Sequence, residues 1–95
     1  MCIPWEHVPG SPIDHDVRLF ALSTCGWCRR TKQLLEELGV EYYRVDVDLL
    51  DSGVKDEVVA EVKKWNSAAT FPTIVIDNQK AIIGYEAEEI REKLS

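Results

Sequence analysis

The residues of this chain best suited to chemistry are two cysteines in the segment Cys25-Gly26-Trp27-Cys28. The segment follows an apolar run over residues 17–22 and precedes a helical pattern. A C-x-x-C in this position is typical of a redox dithiol. The first cysteine then lies at a helix N-terminus, where free N–H groups and the helix dipole favour a thiolate. The second cysteine lies one turn further on, so its sulfur can form a disulfide with the first.

The composition indicates a globular domain with ordinary apolar and charged fractions. Its 95 residues predict one domain. The net charge of −6 argues against nucleic acid and anionic membranes as partners. No apolar stretch approaches the ~20 residues of a membrane span, and the first residues do not resemble a secretory signal. We therefore expect the protein to act in the reducing cytoplasm, where a C-x-x-C pair cycles between dithiol and disulfide.

The chain divides into an irregular N-terminal arm over residues 1–16, rich in proline and glycine, and a domain over residues 17–95. Hydrophobic periodicity predicts strands over 17–22, 41–48, 73–76 and 81–83, and helices over 28–38, 53–65 and 86–94. The order β-α-β-α-β-β-α predicts an α/β fold with a four-stranded mixed sheet flanked by helices. Its first half requires parallel pairing, and the later hairpin adds an antiparallel strand.

Four motifs occur in a specific order and spacing: Cys25-Gly26-Trp27-Cys28, the segment 34–48, Thr70-Phe71-Pro72 at the start of the third strand, and Gly84-Tyr85-Glu86 after the fourth. With these motifs the chain resembles a minimal thioredoxin fold and, within it, the glutaredoxin-like redoxins. The resemblance covers roughly residues 17 to 94.

The resemblance implies a mechanism for a thiol–disulfide oxidoreductase. Cys25 attacks a disulfide of a protein or small-molecule target, and Cys28 resolves the mixed disulfide. An external thiol or reductase then restores the dithiol, and no bound cofactor is expected. Trp27 is expected to cap the dithiol. Pro72 is expected to follow a cis peptide bond, which leaves the Phe71 peptide groups to pair with an extended substrate.

For three further candidate substrate-binding residues, the sequence allows either a role in binding or a purely structural role. Arg29 either stabilises the Cys25 thiolate or belongs to the helix surface. Thr70 either bonds the substrate backbone or begins a strand. Tyr85 either touches the bound disulfide or packs after the hairpin. Gly84, which precedes it, is also a candidate substrate-binding residue.

The electron donor is expected to be thioredoxin reductase rather than glutathione. A glutathione pocket needs fixed charges for two carboxylates and an ammonium group. Glutaredoxins commonly place charged or polar residues where this chain has Leu22, Ala69 and Ala87. The pair Gly84-Tyr85 is similar to that of redoxins that serve ribonucleotide reductase and accept electrons from thioredoxin reductase. Arg29 and Arg30 could compensate for the missing glutathione contacts.

The competing interpretation is a binding module, namely a dimeric carrier that holds an iron–sulfur cluster through Cys25. A third interpretation is a redox-inactive adaptor that has kept the fold. A metal site within one chain is not expected, because a four-ligand site needs two more Cys or His residues. The remaining candidates, Cys2, His7 and His15, all lie in the arm. Cys2 is either a regulatory thiol or an incidental one. We expect a monomer.

Overall fold

One mixed sheet with helices on both faces organises the chain. A computed structural model describes residues 3–11 and 14–94. Its strands are β1 (Glu6–Val8), β2 (Val17–Ala21), β3 (Tyr42–Asp46), β4 (Thr73–Ile76) and β5 (Lys80–Ile83). Its helices are α1 (Gly26–Glu37), α2 (Ser52–Trp65) and α3 (Ala87–Leu94), and a 3₁₀ turn (Val47–Leu49) follows β3. None of these helices combines the length and apolarity that a membrane span requires.

The strands lie in the order β1-β3-β2-β4-β5. The pair β2–β3 is parallel, with α1 as its crossover, while β2–β4 and β4–β5 are antiparallel. The predicted α/β thioredoxin-like fold and the predicted order of its elements are therefore confirmed. Because β2, β3 and β5 run in one direction, their carboxyl ends share one end of the sheet. Cys25 follows β2 at this end, which we call the dithiol end.

The sheet has five strands, so the predicted number of four is wrong. The additional strand, β1, pairs antiparallel with β3, with Glu6 opposite Arg44 and Val8 opposite Tyr42. The arm is therefore not irregular throughout. The three residues of β1, which lies between Pro4 and Pro9, are too few to show a period-two pattern. The strand forms because β3 offers a free edge. The division of the chain at residue 17 stays a prediction, and Cys2 lies outside the described residues.

The arm also packs closely on the turn between α1 and β3. The Ser11 N–H donates to the Gly39 carbonyl at 2.7 Å, and the Glu41 N–H donates to the Ser11 carbonyl at 3.2 Å. A Cβ atom on Gly10 would lie 2.5 Å from the Val40 carbonyl carbon, so only glycine permits this approach. Gly39 itself has φ +69° and follows the C-cap of α1, Leu38.

Alternate strand residues face opposite sides of the sheet and form two apolar clusters. On one side Leu19 and Ile74 lie in one buried cluster with Leu35 of α1 and Ile90 of α3. On the other side, the buried cluster contains Phe20 and Val75 of the sheet with Val58 and Val62 of α2. Val58 and Val62, four residues apart on one face of α2, thus belong to the core. Packing on both faces fixes the strands whose ends carry the site.

Candidate active site

Cys25 occupies the N-cap position of α1. Its backbone is extended (φ −89°, ψ 120°), and its Sγ accepts a hydrogen bond from the Cys28 N–H at 3.2 Å. The first turn of α1 holds no acidic residue to oppose the positive end of the helix dipole. The side chain is partly exposed. The sulfur therefore combines access from solvent with the electrostatic conditions that stabilise a thiolate.

Cys28 lies behind Cys25 and is fully buried. Its Sγ accepts the Leu22 N–H at 3.5 Å. Both cysteines are free thiols. One sulfur is therefore open to an incoming molecule, while the other can be reached only from within the protein.

The surroundings move the pKa values of the two thiols in opposite directions. Burial raises the pKa of Cys25. However, hydrogen bonds from the Cys28 side chain and from the Cys28 and Trp27 N–H groups, with the charge of Lys32, outweigh burial and lower it below the ordinary value. Burial, and then donation to Cys25, raise the pKa of Cys28 to about 12. The first proton therefore leaves Cys25, and Cys28 keeps its own.

The cation that influences Cys25 is Lys32, which the sequence analysis did not single out. Its Nζ lies 2.8 Å from the Asp46 Oδ1 at the end of β3. The side chains of Arg29 and Arg30 are exposed, and the Arg30 guanidinium lies 5.3 Å from the Trp27 ring centroid. The spacing of seven residues from Cys25 was the signal that could have identified Lys32, because residues so spaced share a helix face.

The turn between β2 and α1 is held by Asp48. The Ser23 N–H and Oγ–H donate to its two carboxylate oxygens at 2.8 and 2.5 Å. These hydrogen bonds lower the pKa of Asp48. The chain is thus anchored two residues before Cys25. Nothing in the local sequence connects these two residues, because they lie 25 positions apart.

The Phe71–Pro72 peptide bond is cis, as predicted. The loop before it is built around Asn66, which is 5% exposed. The Asn66 Nδ2 donates to the Thr70 carbonyl, the Thr70 Oγ1 and the Thr73 Oγ1 at 2.9–3.2 Å. The Thr73 hydroxyl also donates to the Thr70 carbonyl at 2.8 Å. The Thr70 hydroxyl therefore has an internal partner, and Asn66 is a second residue that the sequence analysis missed.

Five of the predicted substrate-binding residues line one cavity of about 180 Å³: Trp27, Phe71, Pro72, Gly84 and Tyr85. We call this cavity the proline groove. Its two sides are joined where the Gly84 N–H donates to the Pro72 carbonyl at 2.8 Å. Gly84 has φ +84°, which favours glycine. The rings of Trp27 and Tyr85 stack with centroids 5.7 Å apart. Because Trp27 lies between Cys25 and Cys28 in the chain, the proline groove adjoins the dithiol motif.

Arg29 lies apart from the proline groove. With Arg30, Gln33 and Glu37 it lines a second cleft of about 330 Å³, which Tyr85 borders from the other side. A further cavity of about 280 Å³, lined by Trp5, Arg18 and Trp65 among others, lies beneath the arm on the α2 side of the sheet. It is remote from the dithiol because Arg18 is near the beginning of β2.

The two histidines of the arm lie far from the dithiol, and each contacts a carboxylate. His7 Nε2 lies 2.8 Å from the Glu41 carboxylate, and His15 Nδ1 lies 2.7 Å from that of Asp77. Within residues 3–11 and 14–94, no three His, Cys, Asp or Glu side chains are grouped so as to hold a metal ion.

Comparison with known proteins agrees with this geometry. The family model for glutaredoxin matches residues 17–81. The structure of methanoredoxin from Methanosarcina acetivorans is similar, with a TM-score of 0.86 and 38% identity over 90% of both chains. The structure of a glutaredoxin from Methanosarcina mazei Go1 also has a TM-score of 0.86, with 43% identity over 96% of this chain and 87% of that one.

Sequence relatives extend the comparison to plants. Glutaredoxin-C1 of Arabidopsis thaliana is 31% identical over 62 residues, which make up 65% of this chain but only 48% of the plant protein. The chain thus spans about half the length of that relative. The match to the family model covers well over half of this chain and includes the dithiol, the α1 crossover and the cis-proline loop. The chain therefore belongs to the glutaredoxin family.

Proposed function

We propose that this protein reduces disulfides of protein or small-molecule targets through Cys25 and Cys28. The observation that carries the proposal is the contrast between the two thiols. Cys25 is partly exposed and its pKa is lowered, whereas Cys28 is buried and its pKa is raised to about 12. A nucleophile must be an accessible thiolate, and a resolving thiol must wait until the first attack has occurred.

The two steps balance in atoms and electrons. The Cys25 thiolate attacks one target sulfur, the target S–S bond breaks, and the second target sulfur leaves as a thiolate. Cys28 then loses its proton to solvent and attacks the Cys25 Sγ. The first target sulfur leaves as a thiolate, and the leaving thiolates take protons from water. The target gains two electrons, and the protein retains a Cys25–Cys28 disulfide.

Exposed apolar side chains support protein disulfides as targets. Trp27, Leu49 and Ile83 are 58%, 70% and 46% exposed. Leu49 follows β3 and Ile83 ends β5, so both lie at the dithiol end, as Trp27 does. Exposed apolar groups around a reactive centre favour a partner that covers them. The proline groove, which Trp27 lines, would accommodate an extended segment of such a partner.

We further propose a reductase of the thioredoxin reductase type as electron donor, and a monomer acting in the cytoplasm. Leu22, Ala69 and Ala87 offer no charged group for the carboxylates of glutathione. The exposed cations Arg29 and Arg30 line the second cleft, which shares Tyr85 with the proline groove but is not lined by Phe71 or Pro72. A carboxylate held there would lie outside the groove that aligns the substrate chain.

Two coupled assays with NADPH test the proposal, with one disulfide substrate and Cys25→Ser as the blank. One assay supplies thioredoxin reductase, and the other supplies glutathione with its reductase. We expect turnover with thioredoxin reductase and at most background turnover with glutathione. Turnover with glutathione alone would contradict the proposed donor but support the dithiol. Turnover that survives Cys25→Ser would contradict the role of Cys25.

A further inference from the structure

An ion pair lies behind the two cysteines and belongs to neither the groove nor the cleft. Lys32 and Asp46 approach to 2.8 Å, and their side chains are only 17% and 21% exposed. The ion pair of Lys80 with Glu89 is more exposed, since these side chains are 46% and 41% exposed. Solvent and salt therefore screen the Lys32–Asp46 pair less than the surface pairs.

The position of Lys32 on α1 directs its charge at the sulfurs. It follows Cys28 by four residues and Cys25 by seven, so all three share one helix face. Helical side chains lean toward the helix N-terminus, which is where the thiols lie. The charge of Lys32 favours the thiolate of Cys25 and also that of Cys28. Lys32 thus acts on the dithiol through space.

The position of Asp46 places its carboxylate at the same end of the sheet. In the parallel register Asp46 lies opposite Ala21, the last residue of β2. The next residue, Leu22, donates its N–H to the Cys28 Sγ. The Asp46 carboxylate therefore lies beside the Lys32 ammonium group at the dithiol end and offsets part of its positive charge.

We propose that Asp46 is a positioning residue that sets the reduction potential of the Cys25–Cys28 couple through Lys32. The inference rests on the proposed function only in requiring that the dithiol cycles. Once Cys25 has lost its proton, the reduced form carries a thiolate and a thiol. Oxidation removes two electrons and one proton and leaves a neutral disulfide. A positive charge nearby stabilises the reduced form and makes the protein more oxidising. Asp46 weakens this effect and keeps the protein more reducing.

Equilibration with mixtures of reduced and oxidised dithiothreitol at one fixed pH tests the inference. The oxidised fraction is read by alkylation and mass spectrometry, so neither a target nor an enzyme donor is needed. We expect Asp46→Asn to shift the equilibrium constant about three- to tenfold toward the reduced protein; a tenfold change corresponds to about 30 mV for two electrons. Lys32→Gln should shift it the opposite way, and the double variant should return close to the wild type.

Two further variants separate charge from structure. Lys32→Arg keeps the charge and should retain the wild-type equilibrium, which also keeps the test valid if Asp46→Asn fails to fold. Glu57→Gln removes an exposed carboxylate of α2 and should change nothing.

Shifts of the same sign in Lys32→Gln and Asp46→Asn, or no shift in either, would overturn the role of Asp46. A wild-type protein that forms no Cys25–Cys28 disulfide in any mixture would overturn the proposed function as well. If the wild-type protein forms the Cys25–Cys28 disulfide but the variants have the same equilibrium constant as the wild type, only the inference about Asp46 is overturned.

Discussion

At the scale of single residues, a difference of one helical turn gives two cysteines opposite acid–base character. Cys25 receives hydrogen bonds at the positive end of α1, while Cys28 is buried and donates to Cys25. As pH rises, Cys25 therefore becomes a thiolate while Cys28 is still a thiol. This asymmetry fixes the order of events, because only a thiolate attacks a disulfide at a useful rate.

Alkylation of the reduced protein by iodoacetamide should show this asymmetry. A thiol becomes reactive as pH rises through its pKa, so the Cys25 rate should level off with a midpoint below the ~8.5 of a free thiol. Cys28 should remain unmodified up to at least about pH 9, since its pKa is raised to about 12. Peptide mass spectrometry of a Cys2→Ser background assigns each site. Equal labelling of Cys25 and Cys28 at neutral pH would contradict the asymmetry.

At the scale of elements, one buried side chain shapes the cis-proline loop. Asn66→Ala should lower the free energy of unfolding by about 2 kcal/mol, because it removes hydrogen bonds to three buried or partly buried acceptors. For a domain of this size that corresponds to a Tm lower by roughly 10 °C. Activity should fall too, because the loop carries Phe71 and Pro72.

The neighbouring Ser67→Ala is the matched control for Asn66→Ala. Ser67 is exposed in the same loop, so its removal should leave both Tm and activity near the wild type. Thermal unfolding followed by circular dichroism gives the comparison. An Asn66→Ala variant as stable and active as Ser67→Ala would show that the loop holds its shape without Asn66.

The docking of the arm gives a second prediction at this scale. Gly10→Ala should displace the arm, because the new Cβ would lie within 3 Å of the Val40 and Glu41 backbone. The Glu41 amide, which donates to the Ser11 carbonyl, should then exchange its hydrogen faster, and stability should fall by about 1–3 kcal/mol. The dithiol lies at the other end of α1, so Cys25 alkylation should be unchanged.

Gly53→Ala serves as the control for Gly10→Ala. Gly53 lies in α2 with no atom within 4 Å of an added Cβ, and alanine favours a helix. This variant should be as stable as the wild type or more so. Unchanged exchange at Glu41 in Gly10→Ala would contradict the close packing of the arm.

The sequence predicted those parts of the fold and site that depend on local patterns. Periodicity located the four main strands and three helices, and the spacing of Cys25 and Cys28 located the dithiol. It did not identify β1, which forms only against the edge of β3. Nor did it identify the contacts of Asp46 and Asn66, because a polar residue at a strand or helix end shows no partner until the chain is folded.

At the scale of the whole molecule, charge and apolar surface are unevenly distributed. The chain carries a net charge of −6, yet exposed Arg29 and Arg30 lie on α1 directly after the dithiol motif. Exposed Trp27, Leu49 and Ile83 lie at the dithiol end. A partner that covers this end would meet apolar side chains and two cations, which favours targets with acidic residues near the disulfide. Elsewhere the negative net charge of the chain repels such targets.

The most direct test of the central claim is to trap the intermediate. Cys28→Ser protein is mixed with a disulfide-containing substrate protein, and the product is analysed by non-reducing mass spectrometry. We expect a stable mixed disulfide through Cys25, which dithiothreitol releases and which Cys25→Ser does not form. Wild-type protein should instead release the reduced target and retain the Cys25–Cys28 disulfide. Adducts on another residue, or none on folded Cys28→Ser protein, would show that Cys25 is not the nucleophile.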